Sequence, residues 1–388
     1  MPYSNTTNNG FVLAQNSLGL NNLIYIASVL SDIKDCHIDD PVSIYALLIE
    51  EPEAHLHPQL QVNLYNFLKN ADDSENSQTF ITSHSPTLTS KIPLENLILL
   101  KDKSAYNVGN CFLKRHEENI VRDKGKNRLL TEKEIICYKK MLARYFDVTR
   151  SQLLFSNGCL FIEGISECQL VESFSKLIGK SLIEHQIEIV DVAGTAFYQF
   201  LMLFNSSDKS KRLPMKSAFI TDEDQYTDSK YYDLNELVEN NYAKLNELRE
   251  EINKEDVNGR VNNMIAMTNG QVGIKVCSGT KTLEYQICKA NVFSQKEKTK
   301  ETWLFELLGQ ENSSGLEIVK NYLSTLGEGV LSESEQQNVA LLMWKCLPGK
   351  AEFAQELNAF LIDKLESEGN VKFTVPIYIQ DAINHLIS

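Results

Sequence analysis

The chain has 388 residues, of which 43% are hydrophobic and 23% charged, as in an ordinary soluble globular protein. This length is long for one domain and sufficient for two. The formal net charge of −14 argues against a protein that coats nucleic acid uniformly. The sequence contains no apolar run of the ~18 residues that a membrane helix needs, and its first residues lack a signal-peptide pattern, so we expect no membrane association. Eight cysteines without a CxxC pair predict reduced thiols in a cytoplasmic protein.

The first motif along the chain is Ser17-Leu18-Gly19, which precedes the apolar stretch LIYIASVL, a predicted helix. The apolar run 45–49 predicts a buried strand that ends in Glu50 and Glu51, and a second strand ends at His84. Ligands collect at the carboxyl edge of such strands. There Glu50 can hold a water of a Mg²⁺ shell, Glu51 can polarise the attacking water, and His84 would sense a γ-phosphate.

Two histidines, His55 and His57, lie in the predicted turn between Pro52, which stops the strand, and the helix 59–68. They could form a zinc pair, but an HxH pair with no nearby Cys or third His is a weak metal signal. We favour a loop that contacts another subunit.

Together these residues resemble the ATP-binding-cassette ATPase domain of the OLD (overcoming lysogenisation defect) family of nucleases. The resemblance implies that Glu50 is the Walker B acid, Glu51 the catalytic base, 53–58 the D-loop and His84 the switch histidine. It also implies that Ser17 and Gly19 belong to the signature loop, whose helix N-terminus would meet the γ-phosphate of an opposing subunit in a homodimer. The Walker B acid of this family is more often Asp.

The phosphate-binding half of that ATPase is not found, because no GxxxxGK[ST] motif occurs in the chain. Gly349-Lys350 lacks the earlier Gly and the following Ser or Thr. We therefore expect residues 1–112 to be the C-terminal lobe alone, with ATP bound only when an N-terminal lobe is supplied. That lobe would be a separate polypeptide, or the chain would be the truncated product of a longer gene.

A basic stretch follows at 113–150, with eleven Lys or Arg against six acids. It is a candidate DNA-phosphate-tracking surface, and the alternative is a solvated linker and helix. Within it, 122–128 (RDKGKNR) predicts an exposed loop, and Thr131 with Glu134 predicts a capping box at the start of a helix.

From residue 151 the pattern changes to alternating strands and helices, and acids follow the strands. The strand 159–162 stops at Glu163-Gly164 and leads to a helix that carries Glu167 on its first turn. The strands 187–190 and 218–221 end at further acids, namely Asp191, Asp222 and Asp224. In a parallel sheet these carboxylates converge, and they would repel one another unless divalent cations lay between them.

The segments FIEGISE and FITDED, in this order, are similar to the Toprim fold of topoisomerases, primases and OLD nucleases. The resemblance implies a two-metal site for Mg²⁺ or Mn²⁺ in which Glu163, Asp222 and Asp224 hold one ion and Glu167 helps to hold a second. Asp191 is either a further ligand or only the cap of a turn.

A predicted helical insert at about 228–265, with leucines at helical spacing, is either packing or a partner helix. The resemblance resumes at IKVCSGTKTLEYQI, where Ser278, Thr282 and Glu284 match the SxxTLE segment of OLD proteins, and Glu284 is a further metal candidate. Lys350 matches that family's lysine near the metals, where it would neutralise charge on the phosphate. Without the family match, Lys350 reads as the first-turn lysine of an amphipathic helix.

The chain is thus expected to be an α/β protein with an ATPase C-terminal lobe (1–112), a basic linker and helix (113–150) and a Toprim domain (151–388). The resemblance implies a metal-dependent DNA endonuclease regulated by the ATPase module, with a role in phage defence and a possible defence-system partner. The alternative is a non-catalytic ATPase-like or DNA-binding subunit, or a remnant of a larger protein.

Overall fold

The computed structural model describes most of the chain, with short gaps: residues 16–39, 45–71, 77–113, 120–123, 126–223, 232–254, 259–268, 270–327, 329–368 and 372–388. The chain divides into two compact units. The first comprises 1–97 and 143–155, and the second 98–142 and 156–388. The domain boundaries expected from the sequence stay a prediction.

The first unit is a two-stranded parallel sheet with helices. Its elements in chain order are α1 (Leu18–Asp39), β1 (Tyr45–Glu50), α2 (Pro58–Ala71), β2 (Ser77–Thr82) and α3 (Pro86–Thr89). The predicted strand 45–49 and helix 59–68 are confirmed as β1 and α2. One face of the sheet packs against a small core that includes Leu30, Leu64 and Leu68. On the other face Leu48 and Phe80 are register partners, and they are 77% and 48% exposed.

The second unit begins with two antiparallel hairpins and a helix. These are β3 (Ile98–Lys101) with β4 (Ser104–Asn107), β5 (Ile120–Asp123) with β6 (Lys126–Leu129), and α4 (Glu132–Tyr145), of which the residues from Ala143 onward group with the first unit. The prediction of a loop at 122–128 is therefore wrong, because 122–123 and 126–128 belong to strands; residues 124–125 lie outside the described part. Cross-strand pairing such as Arg122 with Asn127 makes the segment a hairpin, and β5 lies against a later helix. The capping box of α4 is confirmed, since the Thr131 hydroxyl accepts from the Glu134 N–H at 3.3 Å and Glu134 Oε2 accepts from the Thr131 N–H at 2.8 Å.

The centre of the second unit is a four-stranded parallel sheet in the order β10–β9–β7–β8. Its elements are β7 (Gly158–Ile162), α5 (Ile165–Leu177), β8 (Ile187–Asp191), α6 (Tyr198–Leu201), β9 (Lys216–Asp222), α7 (Leu234–Val238), α8 (Ala243–Lys254), α9 (Gly259–Thr268) and β10 (Ile274–Gly279). The three strands predicted at 159–162, 187–190 and 218–221 are confirmed. Every residue of β7 is buried, as expected for a central strand covered on both faces.

Seven helices complete the unit: α10 (Leu283–Ala290), α11 (Lys296–Lys300), α12 (Trp303–Glu311), α13 (Ser313–Thr325), α14 (Glu333–Cys346), α15 (Lys350–Glu368) and α16 (Ile377–Ile387). One apolar core joins them to the sheet, and it includes Leu237, Leu245, Leu248 and Ile252 from the insert. The leucine stripe of the insert is thus core packing. None of the helices in the described ranges combines the length and apolar character needed to cross a membrane.

Candidate active site

The carboxyl ends of β7 and β9 bring two predicted acids together. The strands are parallel neighbours, so Glu163, which follows β7, lies beside Asp222 at the end of β9. Glu163 Oε1 accepts the Asp222 N–H at 3.0 Å and also accepts the Thr221 hydroxyl. The Glu163 carbonyl accepts the N–H of Gly194 at 2.7 Å. Sheet topology therefore sets the position of the Glu163 carboxylate before any cation is considered.

Two further carboxylates come from the first turns of helices. Glu167 lies on α5 and Glu284 on α10, and both side chains are buried. The Thr282 side chain caps α10 by accepting the Tyr285 N–H. The N–H of Leu283, the first residue of α10, donates to Asp222 Oδ2 at 3.2 Å. The cap thus ties the start of α10 to the end of β9.

Burial and mutual crowding raise the pKa values of two of these acids. Burial raises the pKa of Glu167 to about 7, and the nearby Glu163 and Glu284 contribute. Burial also raises the pKa of Asp222 well above its usual range, with Glu167, Glu163 and Glu284 adding to the shift and Lys350 opposing it. The carboxylates are therefore held close enough to resist simultaneous ionisation.

Lys350 is the first residue of α15, and its ammonium is 4.0 Å from Glu284 Oε2. The lysine side chain is 66% exposed whereas that of Glu284 is 5% exposed. Lys350 therefore lies at the solvent side of the acids, where it can reach both a buried carboxylate and an incoming anion.

The other predicted residues of this site make other contacts or lie outside the described part. Asp191 Oδ1 accepts the Ala193 N–H at 2.7 Å, as the cap of a turn does. Ser278 donates to Glu223 Oε1 at 2.8 Å instead of facing the acids. Asp224 lies outside the described residues.

Two residues that lie near these acids were not predicted from the sequence. Arg260, on α9 of the insert, donates from Nη2 to Glu163 Oε1 at 3.0 Å. The hydroxyl of Tyr378, on α16, is buried without a hydrogen-bond partner. Burial raises the pKa of Tyr378 well above its usual range, and the nearby acids, Asp222 first among them, add to the shift. Gly279 gives the tyrosine ring room, since a Cβ at that position would lie 3.2 Å from Tyr378 Cζ.

The donor set fits a hydrated divalent cation. Carboxylate oxygens are the ligands that Mg²⁺ prefers, and Mg²⁺ keeps several waters when it binds. Glu284 Oε2 and the Tyr378 hydroxyl are both buried without a hydrogen-bond partner, so an acceptor and a donor remain available. In the described ranges no group of three or more His, Cys, Asp or Glu side chains is arranged so that it could hold a metal ion as it stands. At the candidate site, Glu163 Oε1 is bonded to Arg260.

The first unit holds the other predicted site. Glu50 ends β1, and Glu51 follows it with a positive φ of 41° and donates its N–H to the Thr82 carbonyl. His84 Nε2 is 3.4 Å from Glu51 Oε1, and both side chains are more than half exposed. Glu53 braces this arrangement by accepting the Ser83 hydroxyl at 2.6 Å and the His84 N–H at 2.9 Å.

The predicted signature segment lies close to the turn after β1. The Ser17 hydroxyl accepts the Leu20 N–H at the start of α1. A Cβ on Gly19 would lie 2.5 Å from the His55 carbonyl oxygen, so only glycine fits there. His57 Nδ1 accepts the Gln59 N–H at the start of α2, which is a helix-capping contact rather than a metal contact.

Two family models match the chain. One describes an AAA ATPase domain and matches residues 3–89, and the other describes the TOPRIM domain of overcoming lysogenization defect protein-like proteins and matches residues 154–224. The chain is 28% identical over 175 residues to endonuclease GajA of Bacillus cereus and 29% identical over 124 residues to an OLD nuclease of Thermus scotoductus. The chain is homologous to these two nucleases over the matched segments.

The homology covers part of each relative. The match spans 41% of this chain and 24% of GajA, and 32% of this chain and 21% of the OLD nuclease. Among solved structures, the C-terminal region of the Burkholderia pseudomallei OLD protein is 20% identical with a TM-score of 0.34, over 60% of this chain and 98% of that one. The corresponding region from Xanthomonas campestris is 18% identical with a TM-score of 0.34, over 61% and 94%. The two family models and the observed elements give an α/β fold with AAA-like and TOPRIM domains.

Proposed function

We propose that this chain is a metal-dependent endonuclease of the OLD type that hydrolyses DNA phosphodiester bonds. The observation that carries the proposal is the convergence of Glu163, Glu167, Asp222 and Glu284 at one edge of the TOPRIM sheet, from four separate elements. Burying Glu167, Asp222 and Glu284 beside the partly buried Glu163 is costly unless cations compensate their charges. The names of the two relatives, an endonuclease and a nuclease, support the same reaction class.

The four carboxylates would hold the divalent cations, with Asp224 as a candidate outside the described residues. Such cations polarise phosphate oxygens and lower the pKa of bound water. The exposed ammonium of Lys350 is placed to pair with a non-bridging phosphate oxygen and neutralise charge there. Burial and the nearby acids keep the Tyr378 hydroxyl protonated, so it serves as a hydrogen-bond donor to a bound water or phosphate.

We further propose that the AAA-like domain regulates cutting through ATP. Glu50 would hold the cation of ATP, Glu51 would orient the water, and His84 would contact the γ-phosphate. Their exposure supports a site completed by other groups, and the phosphate loop that ATP requires is absent from the sequence. The exposed pair Leu48 and Phe80 supports a partner surface on the same sheet, such as a second ATPase lobe or a second copy in a homodimer.

The test is cleavage of supercoiled plasmid by the purified chain with Mg²⁺, Mn²⁺ or EDTA. We expect nicking or cutting with either cation and none in EDTA. Glu163→Ala and Asp222→Asn should each lower the rate at least about 100-fold, because removing one ligand misplaces the phosphate and the water. Asp222→Asn keeps an acceptor for the Leu283 N–H, so the fold should be retained.

Glu223→Gln is the matched control. Its side chain lies next to Asp222 in sequence but accepts from Ser278, a bond that an amide oxygen can also accept. The control should cut at a rate within about threefold of the wild type. A wild-type chain that binds DNA and never cuts it would instead identify a non-catalytic DNA-binding subunit.

A further inference from the structure

Arg260 donates three hydrogen bonds beside the four carboxylates of the candidate active site. Its Nη2 donates to Glu163 Oε1 at 3.0 Å, to Thr221 Oγ1 at 3.0 Å and to the Asp222 carbonyl at 2.8 Å. The side chain is only 17% exposed. The guanidinium therefore joins the carboxyl ends of β7 and β9 from outside the sheet.

These contacts occupy one of the two oxygens of Glu163. Oε1 receives Arg260, the Thr221 hydroxyl and the Asp222 N–H, and three donors use its capacity as an acceptor. A cation at this site would therefore meet Oε2 only. The arginine selects which oxygen of Glu163 is available and fixes its direction.

We propose that Arg260 is a positioning residue, which holds Glu163 for one-oxygen coordination and balances part of the negative charge of the acids. This inference rests on the proposed nuclease function and extends it to the helical insert. A guanidinium suits this largely buried position better than an ammonium, because it is planar, rigid and more weakly hydrated.

The insert is built to hold this side chain in place. Val261, Met264 and Met267 bury one face of α9, which lies along β5 and β10. The Arg260 carbonyl accepts the Tyr198 hydroxyl at 3.4 Å. Because α9 packs on β5 and β10, its arginine braces Glu163 and Asp222 from an element that carries neither of them.

The charge balance gives a signature that a purely structural arginine would not produce. Removing one positive charge beside four carboxylates strengthens their attraction for a divalent cation. Removing the brace also frees Glu163 to rotate, which slows the reaction even when the cation is bound. We therefore expect tighter metal binding together with slower cutting.

The experiment compares Arg260→Gln, Arg260→Lys, Arg260→Ala and the control Arg249→Gln in the full chain. Arg249, on α8 of the same insert, is 18% exposed and contacts Asn246, Asn338 and Glu250 instead of the four carboxylates of the site. The readouts are the Mn²⁺ dissociation constant, from the paramagnetic resonance signal of free Mn²⁺, and the single-turnover cutting rate at saturating Mn²⁺. Thermal melting verifies folding of each variant.

For Arg260→Gln we expect Mn²⁺ to bind about threefold to tenfold more tightly and the cutting rate to fall about 100-fold. Arg260→Lys, which keeps the charge, should retain the wild-type Mn²⁺ affinity within about twofold and still cut about tenfold more slowly. Guanidinium chloride at millimolar concentration should restore part of the rate of Arg260→Ala. Arg249→Gln should leave both readouts unchanged.

Cutting by Arg260→Gln at the wild-type rate would overturn the inference, and so would equal losses of metal affinity and rate. If Arg260→Gln fails to fold, Arg260→Lys decides, since wild-type cutting by that variant would show that a guanidinium is not required. A wild-type chain that binds Mn²⁺ but does not cut DNA would refute the proposed function, while the Mn²⁺ affinities would still test the brace.

Discussion

Replacing Glu167 by Gln should stabilise the metal-free protein, and the gain should grow with pH. Glu167 has a usual pKa of 4.5 and a folded pKa of about 7, because it is buried beside Glu163 and Glu284. Below pH 4.5 the carboxyl is protonated in both the folded and unfolded states and costs nothing. As the pH rises from 4.5 to 7 the unfolded chain ionises freely whereas the folded chain resists, so the wild type loses stability until the folded carboxyl also ionises.

The size of the effect follows from the two pKa values. Each pKa unit corresponds to about 1.4 kcal/mol, so the shift of Glu167 corresponds to roughly 3 kcal/mol above pH 7. The glutamine variant lacks this penalty and also relieves Asp222, whose pKa Glu167 helps to raise. Its advantage over the wild type in free energy of unfolding should therefore increase from near zero at pH 4.5 to about 3 kcal/mol at pH 8.

Urea unfolding in EDTA, followed by tryptophan fluorescence at several pH values, measures this directly. The only two tryptophans, Trp303 and Trp344, belong to the same unit as Glu167 and report on its unfolding. The exposed Glu356 on α15 provides the control, since Glu356→Gln should change stability by a few tenths of a kcal/mol with little pH dependence. Adding Mn²⁺ should remove much of the penalty from the wild type. A stability gain that is independent of pH would refute the proposed burial of ionised acids.

Three other predictions concern different parts of the chain. The purified chain should show no measurable ATP hydrolysis and Glu51→Gln should change nothing, so robust phosphate release would contradict the assignment of the first unit. Gly279→Ala should lower stability by about 1–3 kcal/mol in thermal melting, because its Cβ would lie 2.9 Å from Gln286 Cγ, whereas the uncrowded Gly349→Ala should not. We expect the simultaneous replacement of five basic residues by Gln to weaken DNA binding alike for all sequences; the five are Lys124, Lys126, Arg128, Lys139 and Lys140. The slope of log affinity against log salt concentration, measured by fluorescence anisotropy, should also become less steep by about 0.9 per lost contact. An unchanged slope would mean that the basic stretch is a solvated linker.

The basic stretch shows how far local sequence can be taken. The Thr131–Glu134 capping box was predictable, because its two residues are three positions apart and interact within one turn. The hairpin was not, since charged residues without apolar alternation give no strand signal. Its strands are specified by pairing with each other and by packing of β5 on α9. The structure adds that Arg128 is bonded to Glu134 at 2.7 Å, which lowers the pKa of Glu134 to about 2.

The sequence by itself determined the strands of the second unit and the acids that follow them. Short apolar runs ended by acids are a local pattern, and the carboxyl ends of parallel strands share one edge of a sheet. This was enough to predict Glu163 and Asp222 as neighbours, and the β7–β9 pairing confirms it. The sequence left open whether Asp191 is a metal ligand or the cap of a turn, because that depends on which groups its carboxylate contacts in the folded chain.

Only the tertiary structure placed Arg260 and Tyr378 at the acids. Arg260 lies 97 residues after Glu163, in a helix whose apolar pattern indicates packing alone. Tyr378 is on α16, its ring fits beside Gly279, and Asp222 is among the groups that raise its pKa after burial. Contacts between residues so far apart depend on the packing of whole elements, and neither periodicity nor spacing along the chain encodes which side chain from a distant helix will meet a given carboxylate.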